Sequence, residues 1–190
     1  NIFLETTWKD RNLGSISQAG LVNNLNDGMV WGLFPILLAT KHFKLDEIAT
    51  IVAVYPIFWG VGQLFTGKMA DVFDKKKMLF LGMLLQGVAL LSMIYATTFW
   101  HFAILSSVLG IGTAIVYPTF LAGIGDYTHP EQRAKSIGIF RLWRDSGYAF
   151  GAIITGIISD IWNINTSIAL IGGLTIISAL IIQIRMKSKV

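Results

Sequence analysis

The sequence contains no cysteine, which excludes disulfide frameworks, thiolate metal centres and cysteine nucleophiles. It is also poor in charge. Only 14% of its 190 residues are Asp, Glu, Lys or Arg, against about 25% in a typical soluble domain. Apolar residues fill the gap, at 54% of the chain with a mean hydropathy of +0.63. They come in blocks of about 20, the length that crosses a bilayer as a helix, so the chain is counted in spans and not in soluble domains.

Six such blocks are expected to be helices: Ser15 to Thr40, Ile48 to Ala70, Met78 to Thr97, Trp100 to Gly125, Lys135 to Ser159 and Thr166 to Ile184. The breaks between them are short and polar, with no room for an inserted soluble domain. The first residues, 1–14, carry Glu5, Lys9, Asp10 and Arg11 and are neither signal peptide nor span. They read as the cytoplasmic end of a linker in a longer chain, with 15–185 as the transmembrane domain and 186–190 as a cytoplasmic tail.

The basic pI of 9.4 does not point to nucleic acid, because the lysines and arginines are sorted by loop. With an even number of spans, Lys9, Arg11, Lys68, Lys75, Lys76, Lys77, Arg133, Lys135, Arg185, Lys187 and Lys189 fall on one side, and only Lys41 and Lys44 on the other. The positive-inside rule assigns the first side, and both termini, to the cytoplasm. Arg141 and Arg144 remain inside the fifth span.

A repeat joins the second and fifth blocks. Gly62-Gln-Leu-Phe-Thr66-Gly67-Lys-Met-Ala70-Asp71-Val-Phe and Gly151-Ala-Ile-Ile-Thr155-Gly156-Ile-Ile-Ser159-Asp160-Ile-Trp both read G-x-x-x-T-G-x-x-small-D-aliphatic-aromatic. Phe34-Pro35-x-x-Leu38-Ala39 in the first block is weakly matched by Tyr117-Pro118-x-x-Leu121-Ala122 in the fourth. Three spans therefore repeat as three, in opposite orientation across the membrane. Inverted repeats of this kind build secondary transporters, whose two units exchange shapes around a midplane site.

Two polar clusters interrupt the apolar blocks. Asn23-Asn24-Leu-Asn26-Asp27-Gly28 lies halfway along the first, and helical spacing puts Asn24, Asp27 and Trp31 on one face with Asn23 beside it. A carboxylate at that depth is costly unless protonated or paired, so a substrate or proton role is the leading reading, and an Asp held by neighbouring amides or an arginine is the plainer one. In the fifth block Arg141, Arg144, Asp145 and Tyr148 share a face, with Arg144 and Asp145 about 12 Å inside the boundary. They can bind an anion, relay protons or form an ion-pair gate, or simply be a fixed buried pair. Gly147, Gly151, Ala152 and Gly156 in the fifth block, and Gly110 and Ala114 in the fourth, are expected to let helices approach closely. Pro35, Pro56 and Pro118 are expected kinks.

Gly62-Gln-Leu-Phe-Thr-Gly67-Lys68 has the spacing of a phosphate-binding loop, but Met69 stands where Ser or Thr must bind magnesium, and the stretch ends an apolar helix. No nucleotide, metal or other cofactor is expected, and no hydrolase site emerges around His42 or His129.

The segment Gly67-Lys-Met-Ala70-Asp71-Val-Phe-Asp74-Lys75-Lys76-Lys77 resembles the loop between the second and third helices of each half in the major facilitator superfamily, G-x-L-A-D-R-x-G-R-K. Val72 and Asp74 depart from it, which puts a full charge-relay role for this loop in doubt. The stretches at Asn23 to Pro35 and Arg141 to Gly151 are similar to segments of bacterial members. The resemblance covers essentially the whole chain and implies the carboxy-terminal six-helix half of a twelve-helix bacterial transporter, an all-α membrane fold in the cytoplasmic (inner) membrane. It implies that the first and fourth spans line a central cavity, that the second and fifth face the missing amino-terminal half, and that the third and sixth face lipid. Asp27 and Tyr117 become cavity candidates, and Arg144 and Asp145, with Arg141 and Asp71, become gate or ion-pair candidates. The expected activity is alternating-access movement of a small solute, coupled to protons through Asp27. A free-standing six-helix channel or scaffold, and a lipid translocase, are the competing readings.

Overall fold

A computed structural model of the chain describes residues 1–188. Lys189 and Val190, the end of the expected tail and one member of the cytoplasmic charge set, lie outside the described residues. A helical turn, Ile2–Leu4, and a π-helical turn, Glu5–Lys9, lead into six long helices. These are α1 (Arg11–Thr40), α2 (Leu45–Val72), α3 (Lys75–Met93), α4 (Phe99–Tyr127), α5 (Arg133–Ile161) and α6 (Ile164–Arg185), with a 3-10 turn, Pro130–Gln132, before α5. The described residues contain no strand.

The polar breaks in the sequence are helix caps. Asp10 accepts from the backbone N–H groups of Asn12 and Leu13 (2.9 and 2.8 Å), Asp74 from those of Lys76 and Lys77 (2.7 and 3.4 Å), and Asn163 from that of Thr166 (2.8 Å). Each satisfies donors that the first turn leaves free. The Asp10 cap starts α1 at Arg11, ahead of the apolar block at Ser15. The other end of α1 closes where His42 takes a positive φ of 63° and Phe43 N–H reaches back to Leu38 O (3.3 Å). Pro35, Pro56 and Pro118 lie inside α1, α2 and α4, and each helix continues through its proline.

Length and composition alone qualify four helices, α2, α3, α4 and α6, to cross a membrane. The other two, α1 and α5, are 30 and 29 residues long, but they carry the two polar clusters and fall short on hydropathy. The expectation of six spans is thus carried by composition for four of them.

In the bundle, α1 packs most extensively on α5, and α2 on α4; α3 lies against α4 and α6, and α6 also against α1. Glycines set the two main crossings. A Cβ added at Gly151 of α5 would sit 2.6 Å from Leu25 O of α1, and one at Gly110 of α4 would sit 2.6 Å from Tyr55 O of α2. Backbones this close leave no space for a side chain. Gly156, on a different face of α5, has nothing within 4 Å and packs against no other helix of this chain.

Two apolar clusters fill the interior. One takes Leu33, Leu38, Leu90, Met93, Phe102, Leu109, Ile168 and Ile171; the other, toward the chain termini, takes Ile16, Leu79, Met83, Val116, Phe120, Phe140, Ala179 and Ile182. The outer sides of α2 and α5 are left uncovered: Ile57, Val61, Leu64 and Phe65 on α2 and Phe150, Ile153 and Ile157 on α5 are all exposed.

Residues 1–12 are folded against the bundle. The Thr6 hydroxyl donates to Ser136 Oγ (3.2 Å), the Ser17 hydroxyl to Thr6 O (2.7 Å), and Trp143 Nε1 to Thr7 Oγ1 (3.0 Å). Arg185 at the end of α6 lies 3.9 Å over the Trp8 ring and donates to Trp8 O (2.6 Å). Lys187 N–H donates to Asn12 Oδ1 (2.8 Å), so both ends of the described chain are tied together.

The two glycine environments give a paired test. Gly151→Val should lower stability by about 1–3 kcal/mol, the usual range for overpacking, whereas Gly156→Ala should be neutral or stabilising by up to about 1 kcal/mol through helix propensity. Thermal unfolding of the two variants in detergent separates these outcomes, and equal losses would contradict the packing described.

Candidate functional site: a polar layer inside the helix bundle

Polar side chains occupy one level between the two apolar clusters on four helices. In α1 they are Asn23, Asn24, Asn26 and Asp27, in α3 Gln86, in α4 Thr113 and in α6 Thr175, all buried. Along each helix they fall between residues of one cluster and residues of the other. Buried polar groups at such a level must find partners within the protein.

Most of them do. Asn26 Nδ2 donates to Gln86 Oε1 (3.0 Å), Gln86 Nε2 to Asn23 Oδ1 (3.1 Å) and Asn23 Nδ2 to Asn24 Oδ1 (3.1 Å). The Thr175 hydroxyl lies 2.8 Å from Asn26 Oδ1 and 2.7 Å from Ile171 O, which share its one proton. This chain of amides joins α1 to α3 and α6.

Asp27 faces α2 and α4. The Tyr55 hydroxyl donates to Asp27 Oδ1 and lies 3.1 Å from Thr113 Oγ1. Asp27 is 1% exposed, and its Oδ2 is buried with no hydrogen-bond partner. Among the described residues no lysine, arginine or histidine forms an ion pair with it. A bare carboxylate so placed costs several kcal/mol, a cost removed by a bound proton or by a cation brought in from outside.

Rings continue from this point toward the surface. Trp31, 42% exposed, meets Tyr55 edge-on at 6.1 Å; Tyr55 stacks on Trp59 at 6.0 Å; Trp59 tilts against Tyr117 at 5.3 Å. The Arg144 guanidinium lies 5.6 Å over the Tyr117 ring and 5.8 Å over Phe140. Arg144 pairs with Asp145, its sequence neighbour, at 2.7 Å through Nη2 and 2.8 Å through Nε. Arg141, Asp145 and Tyr148 are exposed on the same face of α5.

The structure thus brings Asp27, Trp31 and Tyr117 into one aromatic file ending at Arg144, and gathers Asn23 and Asn24 into the amide chain. It does not bring Asp71 there: that residue is exposed at the end of α2, and among the described residues it forms no ion pair. The charged pair near the α2–α3 turn is Lys75 with Asp126 (3.0 Å). Tyr55, Gln86, Trp59, Thr113 and Thr175 are participants that the sequence reading missed. Gln86 had a signal, being the lone amide in the apolar run of α3; the tyrosine, tryptophan and threonines had none, since such residues are common in spans. Among the described residues no group of three or more His, Asp or Glu side chains is placed to hold a metal.

The family model described as Major Facilitator Superfamily matches residues 16–188. The chain belongs to that superfamily. Its relatives include the inner membrane transport protein YnfM of Escherichia coli, 26% identical over 78% of this chain and 36% of that protein. Another is the multidrug transporter AQR1 of Candida glabrata, 28% identical over 65% of this chain and 21% of that protein. Among solved structures, a bacterial homologue of the human lysosomal transporter Spinster, in an inward-facing and occupied conformation, has a TM-score of 0.80 at 15% identity, covering 96% of this chain and 45% of that one. That likeness shows the fold. The chain spans less than half the length of each of these proteins. Family and apolar helices together make this an integral membrane protein.

The amide chain has a measurable stake in the fold. Interhelical amide bonds inside membranes are worth about 0.6–2 kcal/mol each, and Gln86→Leu breaks two, to Asn23 and Asn26. A loss of about 1–3 kcal/mol is expected. Thermal unfolding in detergent measures it, and an unchanged transition would mean that the amides find other partners.

Proposed function

We propose that this chain is the carboxy-terminal six-helix half of a secondary transporter that moves a small solute by alternating access, with Asp27 carrying the coupling proton. The observation behind this reading is a fully buried, unpaired carboxyl at mid-depth of the bundle, one ring away from a partly exposed aromatic file. A group of that kind is rarely kept in a membrane interior for stability alone.

In this reading all six helices cross the membrane, 1–14 is the end of an interdomain linker, 15–185 the transmembrane domain and 186–190 the tail, with both ends cytoplasmic in a bacterial inner membrane. The loop charges favour that orientation. The helix packing favours two inverted triplets: exchanging α1, α2, α3 with α4, α5, α6 turns the α1–α5 pair into α4–α2, the α3–α4 pair into α6–α1, and leaves α3–α6 unchanged. The uncovered apolar sides of α2 and α5 suit the missing half, and the rest of the perimeter suits lipid. Arg141, Arg144, Asp145 and Asp71 are the candidates for charge contacts that make and break as the halves rock.

Related proteins bear the names multidrug transporter AQR1 and methyl viologen resistance protein SmvA. An organic solute suits Trp31, Tyr117 and Tyr148, so methyl viologen is a reasonable first probe. In the full-length protein, reconstituted in vesicles with an imposed pH gradient, Asp27→Asn is expected to insert normally and to lose pH-driven movement of methyl viologen and other organic cations. Coupled transport at the wild-type rate in that variant would sink the proton role.

A further inference from the structure

The partners of Asp27 have a property that a plain structural cap lacks. The Tyr55 and Thr113 oxygens are 3.1 Å apart with either able to donate, and the Thr113 hydroxyl is also 3.1 Å from Leu109 O. Each hydroxyl has one proton to give and lone pairs to receive. We propose that Asp27, Tyr55 and Thr113 form a hydrogen-bond chain across α1, α2 and α4 that reverses its direction when Asp27 takes up a proton.

Counting donors shows why both directions are complete. With the carboxylate ionised, Tyr55 donates to Asp27 Oδ1 and Thr113 donates to Tyr55. When a proton adds to Oδ1, the acid O–H donates to the Tyr55 oxygen, Tyr55 turns its own proton to Thr113 Oγ1, and Thr113 turns its proton to Leu109 O. One O–H bond forms, at Asp27, and tyrosine and threonine each keep their single proton. Oδ2 is buried without a partner, so a proton placed there would have no acceptor, and Oδ1 is the oxygen that takes it. Hydrogen-bonded chains of this type polarise as a unit.

The surroundings leave this chain to act alone. The titratable groups that face Asp27 are Tyr55 from α2 and Tyr148 from α5. From α3 and α6 the polar layer offers the neutral Gln86 and Thr175, both engaged with the asparagines. Arg144 of α5 is taken by Asp145. Tyr55 also stacks on Trp59, which meets Tyr117, so the ring whose hydroxyl bonds Asp27 is itself a member of the file between α2 and α4. Tyr55 and Thr113 are therefore positioning residues for the proton on Asp27.

The inference rests on Asp27 being the proton carrier, and infrared difference spectra between acid and alkaline buffer test the two separately without a transported ligand. They are recorded on the full-length protein in lipid nanodiscs, with tyrosine isotope labelling to identify phenol bands. In the wild type, acidification should produce a carboxylic C=O band absent from Asp27→Asn, at the high frequency of a carbonyl with no hydrogen bond, because Oδ2 is free. A phenol C–O band, absent from Tyr55→Phe, should shift over the same pH range. Thr113→Val should alter that phenol band in the acid form while sparing the carboxyl band, and Thr113→Ser should restore it. If Asp27→Asn removes no carboxylic band, the proton role fails. If the carboxylic band is there but the phenol band does not move with it, or Thr113→Val leaves the acid-form phenol band unchanged, the chain does not reverse. Should Tyr55→Phe fail to fold, the labelled phenol band and the two Thr113 variants still decide the matter.

Discussion

Everything in this bundle is arranged around a level of polar side chains held between two apolar clusters. Buried in the bundle and away from solvent, these groups require partners within the protein. Gln86 and Thr175 meet that need for the asparagines, and Tyr55, itself beside Thr113, meets it for Asp27. The partners can reach only if the helices cross at one register. That register is set by glycines at the α1–α5 and α2–α4 crossings, where Gly151 and Gly110 bring backbone against backbone. A change in packing at these crossings is felt at the polar level, and a change in the polar level is felt in the packing.

The groups that bond α1 to its neighbours differ in chemistry. Toward α3 and α6 lie amides, neutral at any pH and bonded to one another, and they fix geometry. Toward α2 and α4 lies a carboxyl with hydroxyl partners, whose protons can rotate. The aromatic file from Trp31 to Tyr117 continues from Tyr55 to Arg144.

The segment before α1 makes contacts that its sequence does not announce. Its charges mark it as outside the membrane, and it reads as a linker. Its hydroxyls and Trp8 nevertheless find partners on α1, α5 and α6, and Arg185 stacks on the Trp8 ring. Tryptophan and arginine in a polar stretch signal no contact until the helix ends that receive them are brought together.

The sequence by itself determined the helices, because an apolar block of about 20 residues and a short polar break are local facts, and the Gly67 to Lys77 motif pointed to their family. It also marked Asp27 and the Arg144–Asp145 pair, since charge is conspicuous among apolar neighbours. Which partners those charges take was decided only by the tertiary structure. Tyr55 and Thr113 are 28 and 86 positions away from Asp27 in the chain, and nothing in their own surroundings distinguishes them from other tyrosines and threonines in a span. Hydrogen bonds act over about 3 Å, so they are properties of the packed helices, and the sequence shows only that each buried donor and acceptor must find one.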